Sequence, residues 1–227
     1  MTDLFVDGHS KSGQSLRVAS LHSRITSMIP AMILKYVGSP VNLSYLNCTN
    51  LEELVELVRT LQVDYATMGV LSPYIREIKK KLRNYDMEYN VLARCNLYAA
   101  VGPTNPLYNH CGSVATEELY PFTIISYADF SGDPNYNFAV ALGIENLVRS
   151  CIRTNNAKIF YQTIHETAAV GIVAVSPENF SVMCEYDDLK LLPLHDCSLF
   201  VEYIWTKLRR VPMSDLAYED LCTKQLF

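Results

Sequence analysis

Residues 41–71 decide the fold, and they read VNLSYLNCTNLEELVELVRTLQVDYATMGVL. The runs 41–46 and 64–70 have the composition and pattern of strands. Between these two runs, apolar residues recur at the spacing of one face of a helix, namely Leu51, Leu54, Val55, Val58 and Leu61. The stretch therefore predicts a strand, a helix and a second strand.

The residues before this stretch extend the same pattern. Residues 16–21 alternate like a strand, and apolar residues recur at helical spacing over 25–36 until Gly38 and Pro40 end the run. Strands that alternate with helices are typical of parallel strands joined by crossover helices. Residues 1–15 are polar and read as a lead-in or the end of a linker.

The pattern starts again after a long extended run at 91–101. Short helical and extended stretches follow, which predict helices at 116–119, 137–154 and 165–170 and strands at 122–127, 158–161 and 172–175. The tail predicts strands near 189–193 and 199–204 and a helix over 213–227. The simplest organisation is two α/β halves linked by extended segments.

Composition and charge narrow the class of protein. The 227 residues are 49% hydrophobic and 19% charged, which excludes a disordered chain. The net charge of −5 argues against this chain holding the phosphates of nucleic acid by itself. A basic run lies at 76–83, but no aromatic residues interleave with it, so a solvent-exposed helix or loop is expected there.

The cysteines and the apolar segments point to the cytoplasm. Seven cysteines are scattered without a CxxC pair, which favours buried thiols in a reducing compartment. The N-terminus lacks the features of a signal peptide. The longest uncharged apolar stretch, 167–177, is shorter than the roughly 18 residues of a membrane span. No membrane partner is expected.

Signatures of enzymes are missing from the sequence. There is no glycine-rich phosphate loop and no nucleophile elbow. His165 and Glu166 begin a zinc-binding HExxH pattern, but Ala169 stands where the second histidine is needed. We therefore expect no metal, no cofactor and no catalysis.

The candidate binding residues lie at the predicted strand-to-helix turns. Ligands of open parallel sheets bind beyond the carboxyl ends of the strands, and helix N-termini there attract anions. Each turn could equally serve only to cap its helix. The candidates are Ser23, Arg24, Thr26, Thr49, Asn50, Gly69, Ser126 and Tyr127.

A series of motifs from Leu16 to Phe227 resembles the effector-binding domain of LysR-type transcriptional regulators. Each motif is degenerate, and the resemblance lies in their order and spacing. The stretches that carry it are 16–20, 29–30, 41–46, 51–55, 62–66, 97–101, 105–107, 118–121, 124–125, 167–177 and 191–194.

The resemblance implies an α/β, two-lobed, type 2 periplasmic-binding-protein-like fold with two hinge crossovers. Lobe I would comprise residues 16–100 plus 176–227, and lobe II residues 101–175. A small metabolite, favoured as a carboxylate because helix N-termini and Arg24 would face it, would bind between the lobes. Thr163 and His165, expected at the start of a helix, would complete the opposing wall.

The family also implies partners. It implies a homodimer or higher homo-oligomer, and contact with DNA only through a domain that would precede Leu16 and is absent from the sequence. Two departures from the family pattern are Ala169, in place of a usual glycine, and Arg24, in place of a small or apolar residue. A solute-binding protein and an enzyme on the same fold, such as one like prephenate dehydratase, are the alternatives.

Overall fold

The computed structural model of the protein describes residues 14–21, 41–127, 137–154, 156–174 and 187–212. The strands in these ranges are β1 Gln14–Leu21, β2 Val41–Cys48, β3 Tyr65–Leu71, β4 Asn90–Val101, β5 Thr123–Tyr127, β6 Ser150–Thr154, β7 Val170–Ala174, β8 Lys190–Pro193 and β9 Phe200–Thr206. The α-helices are α1 Leu51–Arg59, α2 Ile75–Asn84, α3 Phe138–Ala141 and α4 Ala157–Glu166. Short 3-10 turns span Ser72–Tyr74, Pro106–Asn109 and Thr116–Leu119. The helices expected at 25–36 and 213–227 lie outside the described residues.

One mixed sheet runs through the protein in the order β2-β1-β3-β9-β4-β7-β5-β6, with β8 also paired to β4. The parallel strands β1, β2 and β3 form a first half-sheet with the antiparallel β9. The parallel strands β5, β6 and β7 form a second half-sheet with β8. The chain passes between the half-sheets twice, within β4 and between β8 and β9. The predicted α/β class is confirmed, and the lobe boundaries remain predictions.

Two hydrophobic clusters hold the strands and helices together. One packs α1 and α2 against the first half-sheet, through residues such as Leu54, Leu82 and Ile204. The other fills the second half-sheet around Phe160 and extends to β3 and β9 through Leu71, Val201 and Tyr203. Because this second cluster crosses the junction, the two half-sheets share buried surface.

Helices α1 and α2 end in the same backbone motif. After α1, the N–H of Leu61 donates to the carbonyl of Val58 and the N–H of Gln62 donates to that of Leu57, at 3.2 and 3.0 Å. This pattern places one residue in the left-handed region, usually glycine. Here that residue is Leu61 after α1 and Asp86 after α2, each with φ of 57°.

Leu61→Gly is expected to stabilise the protein by about 0.5–1 kcal/mol. The left-handed conformation costs a residue with a Cβ about 1–2 kcal/mol, and the greater freedom of glycine in the unfolded chain offsets part of that gain. Leu61 is 49% exposed, so little burial is lost. Urea denaturation would measure the change, and Leu61→Ala, which keeps the Cβ, is the control. Equal stability of the two variants would contradict the prediction.

Two helix predictions and one strand prediction in the second half were wrong. In place of a helix over 137–154, α3 ends at Ala141, Gly143 takes a φ of 72°, and β6 follows. In place of a strand at 158–161 and a helix at 165–170, α4 runs from Ala157 to Glu166. The side chain of Asn156 caps α4 by accepting from the N–H of Ile159 at 3.1 Å, and Phe160, Tyr161 and Ile164 are buried at helical spacing.

Candidate functional site: the junction between the half-sheets

The carboxyl ends of the parallel strands in the two half-sheets face each other along β4. β3 ends at Leu71, which pairs with Val201 of β9, and Val201 pairs with Cys95 of β4. β7 ends at Ala174, which pairs with Leu97 of β4. Projected onto β4, the two strand ends therefore lie only two residues apart, about 7 Å along the strand, with β9 lying between β3 and β4. Because β3 is parallel to β4 and β7 is antiparallel to it, these ends point toward each other.

The other parallel strands share this arrangement. Leu21 of β1 pairs with Cys48 of β2, so both strands end on the side where β3 ends. Tyr127 of β5 pairs with Thr154 of β6, and both strands end on the side where β7 ends. Since ligands bind beyond the carboxyl ends of such strands, the junction is the candidate binding site.

A tyrosine links the two half-sheets at this junction. The hydroxyl of Tyr203 on β9 donates a 2.8 Å hydrogen bond to the carbonyl of Ala174 at the end of β7. Gly69 of β3 lies beside the same ring, and a Cβ added there would be 3.2 Å from Cε1 of Tyr203. The structure thus shows Gly69, a predicted binding residue, making room for the linking tyrosine.

Ser126 is the predicted binding residue with an unused polar group. It lies one residue before the end of β5 and is only 3% exposed. Its hydroxyl has no hydrogen-bond partner within the described structure. A buried polar group without a partner costs about 1–3 kcal/mol, so such a group at a site marks a place for a ligand or water. Tyr127, the next residue, ends the strand.

Thr49 and Asn50 are already hydrogen-bonded to Glu53 at the start of α1. The side chain of Asn50 accepts from the N–H of Glu53 at 2.8 Å. The carboxylate of Glu53 accepts from the N–H and the hydroxyl of Thr49, at 2.7 and 2.8 Å. An anion approaching this helix end would have to compete with Glu53. The sequence predicts a helix cap at this turn as the alternative to a binding role, and the structure confirms that Asn50 is the N-cap.

Thr163 and His165 lie near the carboxyl end of α4, so the prediction that they begin a helix was wrong. The hydroxyl of Thr163 donates to the carbonyl of Ile159 at 2.7 Å. The Nε2 atom of His165 lies 3.0 Å from a carboxylate oxygen of Asp188. A helix carboxyl end presents carbonyls rather than N–H groups, and it favours cations over anions. The binding role of both residues stays a prediction.

The remaining candidates, Ser23, Arg24 and Thr26, lie outside the described residues. Within the described ranges, no group of three His, Cys, Asp or Glu side chains could hold a metal ion. No helix in those ranges is long and apolar enough to cross a membrane.

A polar cluster near the junction was not predicted from the sequence. Glu202 of β9 is buried, accepting from the hydroxyl of Tyr89 at 2.8 Å and from the guanidinium of Arg94 at 2.6 Å. Burial alone would raise the pKa of Glu202, but these hydrogen bonds and the charges of Lys79 and Arg94 outweigh it and lower the pKa. Burial, with the bond to Glu202, raises the pKa of Tyr89. Glu202 is therefore held as a carboxylate.

No family profile and no curated protein matches the chain. Several solved structures are similar to it in fold. HinK, a LysR family transcriptional regulator from Pseudomonas aeruginosa, matches with a TM-score of 0.66 at 13% identity, over 94% of this chain and 69% of that chain. The BenM effector-binding domain with its effector benzoate matches with a TM-score of 0.65 at 15% identity, over 92% and 88%.

A third match is the effector-binding domain of QuiR in complex with shikimate. It has a TM-score of 0.61 at 12% identity, and the match covers 92% of this chain and 94% of that chain. At sequence identities this low, the structural similarity establishes only a shared fold. The chain therefore has the fold of LysR effector-binding domains, and the predicted type 2 periplasmic-binding-protein-like architecture is confirmed.

Proposed function

We propose that this protein is the ligand-sensing domain of a LysR-type transcriptional regulator and that it binds a small carboxylate between its two half-sheets. The observation that carries the proposal is the convergence of strand carboxyl ends along β4. Leu71, through Val201 of β9, is level with Cys95 of β4, and Ala174 pairs with Leu97 two residues further on. The fold likeness supports it. Two of the similar proteins hold benzoate and shikimate, which are both carboxylates.

Sensing requires that the ligand bind one arrangement of the half-sheets more tightly than another. The hydrogen bond from Tyr203 to the carbonyl of Ala174 belongs to the arrangement seen here. A ligand that moves β7 relative to β9 would weaken this bond, and one that binds the present arrangement would reinforce it. The sign of the response depends on which arrangement the ligand prefers.

Ser126 is the best-supported polar contact in the proposed site, because its buried hydroxyl is uncommitted. The other members of the site are proposed from their place at strand and helix ends. Thr49 takes part only where the ligand displaces Glu53 from its hydroxyl. The remaining proposed residues are Ser23, Arg24, Thr26, Asn50, Gly69, Tyr127, Thr163 and His165.

Ser126→Ala is expected to weaken carboxylate binding at least about tenfold, because a hydrogen bond to a charged group contributes about 1.5–3 kcal/mol. The same change should leave the unliganded protein as stable or more stable, since it removes a buried hydroxyl that has no partner. Calorimetric titration with benzoate, shikimate and a library of small carboxylates would measure binding, and urea denaturation would measure stability.

Ser150→Ala is the matched control. Ser150 is exposed on β6, and its hydroxyl lies 2.8 Å from that of Thr123. Its replacement should leave the dissociation constant unchanged. If a carboxylate that binds the parent protein binds Ser126→Ala as tightly, the site does not lie at the end of β5.

We favour a sensor over an enzyme or a solute-binding protein of the same fold because the similar structures are named as regulators or effector-binding domains. Conversion of a bound ligand into a product would contradict the sensing role. Contact with DNA belongs, in this proposal, to a domain other than this α/β domain.

A homodimer is part of the same proposal. β2 and β6 are the two ends of the sheet, and each has a free edge in the described structure. Apolar side chains are exposed at both ends, with Leu46 on β2 and Leu147 and Ile152 at β6. A two-fold, head-to-tail pairing would place each end against the other and cover both. A cytoplasmic location is proposed with it, and the five cysteines in the described ranges are free thiols.

A further inference from the structure

One flank of α2 carries a concentration of positive charge that the proposed sensing function does not use. α2 holds five of the chain's 19 lysines and arginines and one of its 24 acidic residues, in a chain of net charge −5. We propose that this flank, together with Arg94 of β4, docks an acidic segment of a protein partner. The basic flank is defined by Arg76, Lys79, Lys80, Arg83 and Arg94.

Helix geometry places these cations on one side. At 100° per residue, the four cations of α2 in this set fall within an arc of about 100°. The ammonium of Lys79 lies 4.5 Å from the centre of the Tyr89 ring, which orients the arc toward β4 and β9. Lys81 lies outside the arc and pairs with Glu52 of α1 instead.

Arg94 continues the flank onto the sheet. Its guanidinium lies 4.3 Å from the centre of the Phe200 ring and donates to Glu202, which also accepts from the hydroxyl of Tyr89. Tyr89 therefore connects Lys79 to Arg94. Both cations are positioned over aromatic rings before a partner arrives, which lowers the entropy lost when they bind.

The other three cations are available for a partner. Arg76, Lys80 and Arg83 are exposed, and none of them forms an ion pair within the described structure. Such unpaired side chains can meet carboxylates without first breaking an internal bond. Charge complementarity therefore selects an anionic partner for this flank.

The size of the flank favours a short acidic segment over duplex nucleic acid. From Arg76 to Arg83 the helix rises about 10 Å, which suits three or four carboxylates. A DNA duplex carries a charge about every 1.7 Å and would extend past the flank. Outside α2 the chain has 23 acidic and 14 basic residues, so the rest of the chain carries a net negative charge that disfavours the extra phosphates.

Fluorescence anisotropy with labelled hexaglutamate at low and at physiological salt tests the proposal on the full chain. Hexaglutamate should bind saturably, and more weakly at higher salt. The triple variant Arg76→Gln, Lys80→Gln, Arg83→Gln should bind at least tenfold more weakly. The control triple is Arg149→Gln, Arg153→Gln, Lys158→Gln, which removes the same charge from exposed sites in the second half of the chain and should change binding less than twofold.

Three outcomes would overturn the proposal. They are equal weakening in both triple variants, the absence of saturable binding at low salt, and tighter binding of a 20-base-pair duplex than of hexaglutamate. Urea denaturation of both variants checks that these surface changes leave the fold intact. No small-molecule ligand enters the test, so its result is separate from that of the sensing proposal.

Discussion

Replacing Gly102 with alanine is expected to lower the free energy of unfolding by about 3 kcal/mol. A Cβ at this position would lie 2.2 Å from the carbonyl oxygen of Ile164 and 2.9 Å from Cα of His165. Both are backbone atoms of α4, and they cannot rotate aside as a side chain can. Either α4 or the chain leaving β4 must therefore move.

The turn after Gly102 is tied to the same end of α4, which makes such a movement costly. The side chain of Asn105 accepts from the N–H of Leu107 at 2.8 Å and donates to the carbonyl of Ala168 at 2.6 Å. Asn105 is buried, so a shift that broke these bonds would leave its amide without partners.

Gly69→Ala is the matched comparison, measured by urea denaturation. A Cβ at Gly69 would meet side-chain atoms of Tyr203 and Val201 at 3.2 Å, and these can yield by a few tenths of an ångström. We expect it to cost about 1 kcal/mol. A Gly102→Ala protein within 1 kcal/mol of the parent would show that α4 and β4 are not packed as tightly as described.

The first half of the fold was predictable because its strands and helices have different apolar periods. The alternating run at 41–46 and the helical run at 51–61 both match the structure, as β2 and α1. The second half was predictable only in part. The strands expected at 122–127 and 172–175 match β5 and β7, but 138–148 has apolar residues at helical spacing while Gly143 turns the chain with a φ of 72°. A lone glycine does not reveal its φ in a sequence.

The site was only partly predictable because its contacts join distant parts of the chain. The end of β5 was located correctly, which places Ser126 next to a strand end, and its binding role stays a prediction. Tyr203 could not be assigned a role, because its bond to Ala174 depends on how β9 and β7 each pair with β4. The same holds for Glu202 and Tyr89, which are 113 residues apart. No local pattern encodes the register that brings such residues together.

Glu202→Ala is expected to lower the free energy of unfolding by about 2 kcal/mol at pH 7. Removing one partner of a buried ion pair costs about 3–5 kcal/mol. The loss should be smaller here because Arg94 is 61% exposed and can regain water. Glu202→Gln, which keeps an acceptor for Tyr89 but removes the charge, should cost about 1 kcal/mol.

The pH dependence of this loss identifies the charge as its cause. The folded protein holds the pKa of Glu202 below its ordinary value, because the bonds from Arg94 and Tyr89 and nearby positive charge outweigh the effect of burial. The carboxylate therefore contributes stability above its unfolded pKa of about 4.3, and this contribution is lost as the pH falls through the folded pKa. The stability gap between the parent and Glu202→Gln should be full at pH 7 and shrink below about pH 4.

Urea denaturation from pH 7 to pH 3 would measure the gap. The control is Asp187→Asn, which changes an exposed aspartate outside the helices that makes no ion pair within the described ranges. Its gap should stay near zero throughout. A gap for Glu202→Gln that does not change with pH would mean that the loss comes from packing, and that the Arg94 and Tyr89 bonds do not depend on the charge of Glu202.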